Sequence, residues 1–276
     1  MTAGWRAHLA LHYTRDGDRT IALDRHEGPL RVLQRLYPEG PGICHHVIVH
    51  PPGGVVGGDR LEVEARLDSG THALVTTPGA TRFYRSSGAT AVQQATLTLA
   101  EGARLEWLPL ETIAHRSCIA ENRVTLQLAP GAEAIGWDLL ALGLPAAGEA
   151  FDDGSFLQQI EMPGVWLEKG RVRGSDALLL DSPIGWAGKR ALGTLWFTTG
   201  APLDAARRSA LLDAAREVIG PSPSLAGATS PNDRVIVLRV LADRVESAMR
   251  LLQAVRGAWR QVAWALSPEP PRIWRT

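Results

Sequence analysis

The chain has 276 residues, and its 29 basic and 29 acidic side chains leave a formal net charge of zero. Hydrophobic residues make up 45% of the sequence and charged residues 21%, a balance that excludes a chain that stays disordered. Because a neutral chain has no general attraction to nucleic acid or to anionic lipid, we expect a protein that binds neither nucleic acid nor membrane.

The start of the chain and the cysteines indicate the compartment. Charges at Arg6 and Arg15 interrupt the amino-terminal segment, so it has no apolar stretch of secretory type. The two cysteines, Cys44 and Cys118, form no CxxC pair and are too few for a disulfide framework. We therefore expect a cytoplasmic protein.

A loose internal repeat organises the first two-thirds of the chain. Four alternating apolar and polar runs each end in a glycine, at intervals of 32, 29 and 33 residues, and a second extended run follows each glycine. These glycines are Gly70, Gly102, Gly131 and Gly164. Period-two alternation on both sides of a glycine turn is typical of β-hairpins that bury one face. The pattern predicts a mainly β fold of stacked hairpins or sheets, arranged either as a solenoid-like pile or as a two-sheet sandwich.

The last third of the chain changes to helical periodicity. Apolar residues recur at helical spacing from Leu211 to Ile219, which predicts one amphipathic helix, and the run 234–242 predicts a strand. A second amphipathic helix is predicted by the apolar stripe Val245, Met249, Leu252, Val255 and Trp259. Asp243 followed by Glu246 resembles a capping box that would open this second helix.

These patterns predict one β-rich domain over residues 1–276. Its β body would cover 1–198, and a helix–strand–helix element over 203–264 would pack on that body. The following tail carries three prolines, so we do not expect the second helix to continue into it.

A cluster of metal-ligand side chains lies in the segment ICHHVIVH. On a strand, Cys44, His46 and His50 would share one face, and His45 would point to the other. Imidazole and thiolate suit nickel, copper or zinc, so the cluster could hold such an ion. It is also compatible with a cupin-like, metal-dependent enzyme centred on His46 and His50. The alternative is that these are half-buried strand residues with backbone partners.

Two carboxylates interrupt apolar runs, Asp138 in IGWDLLALG and Glu168 in VWLEKG. Alternation would place Asp138 on the strand face opposite Trp137, and Glu168 opposite Leu167. An unpaired buried carboxylate is costly or becomes protonated. Either each pairs with one of the many arginines, or both line a hydrated internal path for a cation.

The segment TTPGATRFYRSSG combines arginine with aromatic side chains. Arg82, Phe83, Tyr84 and Arg85 could form a partner-binding surface, because arginine and tyrosine are favoured at protein interfaces. Equally, this segment could be a loop anchored by its two aromatic residues.

Several blocks together resemble the urease accessory protein D family, which is called H in some organisms. The similarity runs in order from Gly28 to the carboxyl end. The blocks include GPLRVLQRLYPEG, CHHVIVHPPGGVVGGDRL, HALVTTPGATRFYRSSG, IGWDLLALGLPAAGE and PRIWRT. The most specific are HPPGGVVGGD and the TTPGA and FYRS pair.

This resemblance implies a maturation factor that is not an enzyme and carries no catalytic residues. It would join accessory protein F and the GTP-hydrolysing accessory protein G on apo-urease, forming a hetero-oligomeric complex for nickel insertion. The family fold is β-rich with a few helices. No cofactor would be permanently bound, but Ni²⁺ could be held transiently.

The resemblance also implies an internal nickel passage lined by acidic residues. Asp59, Asp138 and Glu168 stand at matching positions, and Cys44, His45 and His50 match the family's CHxxxxHPPGG block. Two alternatives stay open: the cupin-like enzyme, and an interaction scaffold through which nickel never passes.

Overall fold

Extended segments dominate the computed structural model, which describes residues 4–220 and 225–275. The strands in these ranges are β1 (Arg6–Asp16), β2 (Arg19–Glu27), β3 (Arg31–Leu36), β4 (Ile43–Val49), β5 (Arg60–Leu67), β6 (His72–Thr76), β7 (Thr81–Phe83), β8 (Ala91–Leu99), β9 (Arg104–Leu108), β10 (Thr112–Ala114), β11 (Ile119–Leu128), β12 (Glu133–Leu142), β13 (Ser155–Met162), β14 (Trp166–Arg173), β15 (Ala191–Thr199), β16 (Leu225–Asn232) and β17 (Val235–Ala242). The helices are α1 (Ala177–Asp181), α2 (Ala205–Ile219) and α3 (Val245–Trp264), with short 3₁₀ segments at Pro145–Ala147 and Arg272–Arg275.

The strands form two sheets. Sheet 1 has the order β14-β13-β11-β8-β5-β1-β2. Sheet 2 has the order β16-β17-β15-β12-β9-β6-β4-β3, with β10 and β7 paired beside β12. In the middle of both sheets neighbouring strands are parallel, as in β5, β8 and β11 of sheet 1 and β6, β9 and β12 of sheet 2.

The first three glycine turns of the repeat connect the two sheets. Gly70 lies between β5 and β6, Gly102 between β8 and β9, and Gly131 between β11 and β12, so the strands on either side of each turn are in different sheets. The prediction of hairpins was wrong at these three turns, and of the four only Gly164 joins an antiparallel pair, β13 and β14. Alternation shows that a strand buries one face, but it does not show which strand pairs with which.

The turns themselves stack. All three glycines have positive φ, at 69°, 68° and 79°, which glycine adopts without strain. The Gly70 amide donates to Glu101 O of the next turn at 3.1 Å. A Cβ at Gly131 would lie 3.6 Å from the Gly102 nitrogen. Successive coils therefore lie directly on one another, and the predicted mainly β, solenoid-like fold is confirmed.

Two apolar layers hold the structure together. The first lies between the sheets, where Leu97 and Leu126 of sheet 1 meet Val75 and Leu105 of sheet 2. Both cysteines are buried in this layer. The second lies between sheet 2 and the helices, and its buried members include Trp137, Leu211, Leu252, Val255 and Trp259. The central strand β12 is consequently buried on both faces.

The two predicted amphipathic helices are confirmed as α2 and α3. Asp204 caps the amino terminus of α2, and its Oδ1 accepts a hydrogen bond from the Arg207 amide at 2.8 Å. Of the apolar stripe predicted for α3, all but Val245 are buried. The predicted strand over 234–242 corresponds to β17.

The predicted capping box at the start of α3 was wrong. The residue before the helix is Arg244, and no side chain caps it. Asp243 instead forms an ion pair with Lys189, whose Nζ lies 2.8 Å from Oδ2. The division of the chain into a β body and a helix–strand–helix element stays a prediction.

None of the helices in the described ranges is both long and apolar enough to cross a membrane.

Candidate functional site

A cavity of about 170 Å³ lies at one end of the space between the two sheets. It has room for on the order of ten water molecules. Much of its wall is apolar, but a group of polar side chains also faces it. They are His50, Thr76, Thr77, Thr81, Arg82, Gln93, Gln94, Thr112, Asn122 and Asp138. A cavity with several polar partners for water is expected to be hydrated.

Asp138 is the carboxylate of this cavity. It lies on β12 and points between the sheets, whereas its neighbour Trp137 packs in the helix layer, as alternation predicted. Its Oδ2 accepts a hydrogen bond from Asn122 Nδ2 at 2.5 Å, and the Gln158 amide is the second side chain that interacts with this carboxylate. Burial raises the pKa of Asp138 to about 6, although hydrogen bonds from Asn122 and Gln158 favour the charged form. The groups that stabilise this carboxylate are therefore two amides and not an arginine.

Glu168 lies on β14 and has an arginine partner. Arg239 Nε donates to Glu168 Oε1 at 2.7 Å, and Arg239 Nη2 contacts the other carboxylate oxygen. The hydrogen bond to Glu168 raises the pKa of Arg239. Of the two interpretations of Glu168, the structure therefore shows the salt bridge.

Asp59 closes the turn that precedes β5. Its Oδ1 accepts from the Trp5 amide at 2.8 Å, and its Oδ2 accepts from the Val56 amide at 2.9 Å. The carboxylate of Asp59 is thus occupied by backbone donors. Of the three acidic residues Asp59, Asp138 and Glu168, Asp138 is the one that lines the cavity.

The cysteine and histidine cluster of β4 is divided between different surroundings. Cys44 packs in the layer between the sheets, and His46 Nδ1 lies 2.8 Å from the Tyr13 hydroxyl. Burial lowers the pKa of His46 to about 4. His45 Nε2 bonds Glu39 Oε1 at 2.9 Å.

The partners of His45 and His46 are thus side chains, and not the backbone groups of the alternative interpretation. His50 lines the cavity, where burial lowers its pKa, but His46 does not line it. In the ranges 4–220 and 225–275, no three His, Cys, Asp or Glu side chains are grouped as a metal site. The cupin-like interpretation therefore lacks a grouped ligand set within these ranges.

The predicted partner-binding segment is only partly on the surface. Phe83 is completely buried, and its ring packs edge-on against Phe156 at 5.5 Å. Phe83 is therefore not available for contact with a partner, and its ring anchors the segment to the interior. Arg82, Tyr84 and Arg85 are exposed. Tyr84 and Arg85 also line a surface groove of about 400 Å³.

Sequence reasoning missed a buried charge cluster beneath α3. Arg256 Nη2 lies 2.6 Å from Glu106 Oε2, and Arg260 Nε lies 3.2 Å from Glu106 Oε1. Arg260 also reaches Glu39 at 2.7 Å. Burial alone would raise the pKa of Glu106, but Arg256, a hydrogen bond from His72 and Arg260 lower it to about 2. The sequence did hold one indication of this cluster. Arg256 and Arg260 are one helical turn apart on the same side of α3 as the apolar stripe, where charged side chains would be buried.

The class of protein follows from these observations: a solenoid-like β protein with a partly polar cavity between its sheets, one carboxylate among the described residues that line it, and most other buried charges paired. The sequence matches the family model described as "UreD urease accessory protein" over residues 5–275. It is 62% identical over 276 residues to "Urease accessory protein UreD" of Leptothrix cholodnii, with 99% of each chain covered.

Two further relatives with the same description are similarly close. Those of Paracidovorax citrulli and Polaromonas sp. are each 57% identical over 272 residues, covering 98% of this chain and 99% of theirs. The chain belongs to the UreD urease accessory protein family, and its role is in urease maturation.

Proposed function

We propose that the chain is a scaffold, without catalysis of its own, on which nickel is inserted into apo-urease in the cytoplasm. It would act together with accessory proteins F and G, the latter supplying GTP hydrolysis. Support for this proposal comes from the family match over residues 5–275 and from relatives at 54–62% identity that carry the urease accessory description. Nickel is cargo in this scheme and is held transiently.

One observation supports passage of nickel through the chain. Asp138 is buried, is held by the amides of Asn122 and Gln158 and not by an arginine, and lines the cavity between the sheets. A carboxylate oxygen is a ligand that hard and borderline divalent cations accept. Of the acidic residues considered, Asp138 is the strongest candidate contact on an internal path.

Asp59 and Glu168 are weaker candidates for contacts on this path. Their carboxylates are already bonded, to two backbone amides and to Arg239 respectively. A cation would therefore have to displace these partners in order to use them. We expect substitutions at Asp59 and Glu168 to act through local structure as well as through any path.

The experiment is complementation of a strain that carries the urease structural and accessory genes but lacks this gene. Wild type, Asp138→Asn and Asp138→Ala are each restored, and urease activity is measured together with co-purification of the accessory partners. The matched control is Asp243→Asn, which removes an exposed carboxylate paired with Lys189. We expect wild type and the control to restore activity, and the Asp138 variants to restore about tenfold less while keeping the complex.

The results separate the parts of the proposal. Urease activity that is unchanged by deletion of the gene would overturn the maturation role in this organism. If both Asp138 variants activate urease fully, the proposal of nickel passage is rejected and the scaffold role is kept.

A scaffold without nickel passage is the second candidate. It is favoured by the bonded carboxylates of Asp59 and Glu168, and by the lack of a grouped metal-ligand set in the described ranges. On this alternative, substitutions matter only where they weaken the complex. The exposed side chains of Arg82, Tyr84 and Arg85 are then the first positions to test.

A further inference from the structure

Three exposed apolar side chains lie along the loop 50–59, which connects β4 to β5. Trp5 is 60% exposed, Val56 46% and Tyr84 37%. We call these three residues the loop patch. A single exposed apolar side chain is ordinary on a protein surface, but neighbouring ones that include a tryptophan are typical of a site that binds a partner.

The carboxylate of Asp59 brings two members of the loop patch together. Its Oδ1 accepts a hydrogen bond from the Trp5 amide at 2.8 Å, and its Oδ2 accepts one from the Val56 amide at 2.9 Å. Asp59 itself is buried. The backbones of Trp5 and Val56 are therefore neighbours, each fixed to one oxygen of the same carboxylate.

The third member of the loop patch packs on the same loop. The Tyr84 amide donates to Val55 O at 2.9 Å, and a Cβ at Gly54 would lie 2.1 Å from Cε2 of the Tyr84 ring. A Cβ at Gly57 would lie 2.2 Å from Ser86 Oγ. The sequence blocks HPPGGVVGGD and FYRS are thus packed against each other, and glycine allows the close approach. A surface that is ordered in this way loses less conformational entropy on binding.

Arginines without ion pairs adjoin the loop patch in sequence. Arg6, Arg82 and Arg85 are all exposed. Among the described residues none of these three guanidinium groups has a carboxylate partner, whereas Arg116 pairs with Asp152 at 2.7 Å. Tryptophan, tyrosine and arginine dominate the energetics of protein interfaces. Unpaired guanidinium groups beside an apolar patch favour carboxylates on the partner.

We propose that the loop patch is a docking site for a partner protein whose surface is apolar at the centre of the contact and acidic around it. Asp59 is a positioning residue that holds Trp5 and Val56 in place. The apolar side chains at the centre favour a protein over a phosphate backbone. That this partner is apo-urease or an accessory protein rests on the proposed function.

The test measures binding of the purified full chain to purified apo-urease, accessory protein F and accessory protein G, singly and together. Trp5→Ala should weaken binding to at least one of them by about thirtyfold, the size expected for an aromatic residue at the centre of an interface. Val56→Asp should weaken the same complex by about tenfold, because it places a negative charge opposite an acidic surface.

Salt dependence tests the charge of the partner. Arg85→Glu should weaken the complex by about tenfold at about 50 mM NaCl and by less at about 500 mM, because salt screens exposed charges. The matched controls are Val262→Asp and Arg250→Glu. Val262 is 43% exposed and Arg250 is also exposed, and both lie on α3, which contacts β12, β15 and β17. Both controls should leave affinity within about twofold of wild type.

The positioning role of Asp59 has a readout of its own. Asp59→Asn replaces one of the two acceptor oxygens by a donor, so it should weaken the complex by about fivefold. In the Trp5→Ala background the same change should cost about twofold or less, because one of the side chains that Asp59 positions is already absent. Equal losses in the two backgrounds would reject the positioning role and indicate an effect on folding alone.

The inference is overturned if none of the three proteins binds wild type, or if all bind Trp5→Ala as tightly as wild type. The occupant is then a second copy of this chain if wild type is a dimer that Trp5→Ala dissociates. It is a nucleic acid if a single-stranded oligonucleotide binds wild type and loses affinity in Trp5→Ala.

Failure here is distinguishable from failure of the proposed function. Binding that Trp5→Ala weakens, together with urease activity that is unchanged by deletion of the gene, would keep the docking site and reject the maturation role. Loss of urease activity on deletion, together with full binding by Trp5→Ala, would keep the maturation role and reject the docking site.

Discussion

Arg256 and Glu106 are 150 residues apart in the chain, yet Arg256 Nη2 and Glu106 Oε2 lie 2.6 Å apart with neither side chain exposed. The pair joins α3 to β9, and Arg256 also donates to Glu269 O in the carboxyl-terminal segment at 3.0 Å. Arg260 does the same to Ser267 O at 2.6 Å. One buried charge cluster therefore fastens both the helix and the segment that follows it to sheet 2.

Glu106→Gln should destabilise the protein strongly. It leaves Arg256 without a buried counter-charge and weakens the pairing of Arg260, and breaking a buried pair in this way costs about 3–5 kcal/mol. Urea denaturation gives the free energy of unfolding. Asp243→Asn, which breaks the exposed pair with Lys189, is the control and should change that free energy by less than about 1 kcal/mol. Equal losses in the two variants would contradict the importance of the buried cluster.

Asp138→Asn should stabilise the protein at neutral pH. The pKa of Asp138 is raised from 3.8 to about 6, so between these values the unfolded chain releases a proton that the folded chain keeps. Stability from this group is therefore greatest below pH 3.8, falls as pH rises to about 6, and is constant above. The advantage of Asp138→Asn over wild type should grow across that window by on the order of 1–3 kcal/mol. Denaturation curves at pH 4 and pH 7.5 test this, and a constant difference would refute it.

His46 should give a pH dependence of the opposite sign. Its pKa is lowered from 6.5 to about 4 by burial, so the unfolded chain takes up a proton that the folded chain refuses. Stability is complete above pH 6.5 and is lost as pH falls to about 4. His46→Gln, which can still accept a hydrogen bond from Tyr13, should lose less stability than wild type over this range. Parallel curves for the two proteins would show that His46 does not titrate in this way.

Phe83→Ala and Tyr84→Ala should separate folding from binding. Phe83 is fully buried against Phe156, and its truncation should cost about 3–5 kcal/mol. Tyr84 is exposed, so Tyr84→Ala should cost less than about 1 kcal/mol. If this segment binds a partner, Tyr84→Ala should reduce recovery of the accessory complex in co-purification. A complex that is recovered in full would place the interface elsewhere.

Strand alternation and helical periodicity were sufficient to predict local structure. They placed Asp138 and Trp137 on opposite faces of one strand and located α2 and α3, because each depends on residues close in sequence. They did not show that the turn at Gly70 crosses between sheets, since a pattern of buried faces is the same for a hairpin and for a coil.

Partners distant in sequence could not be predicted in the same way. Glu168 meets Arg239 from 71 residues away, and Asn122 meets Asp138 across the space between two sheets. Charge and polarity identified these residues as unusual, but their partners depend on which strands are neighbours. The different partners of Asp59, Asp138 and Glu168 are therefore set by the order of the strands in the two sheets, which the sequence pattern does not show.

The burial of the two cysteines has a practical consequence. Burial raises the pKa of Cys118 to about 12 and also raises that of Cys44, so in the closed fold both thiols are protonated and shielded from reagents. A thiol reagent can react only when the sheets part locally at β4 or beside β11. The rate at which a thiol reagent labels each cysteine therefore reports how often the fold opens locally around that cysteine. A bound cargo or partner that stabilises the closed fold would lower this labelling rate.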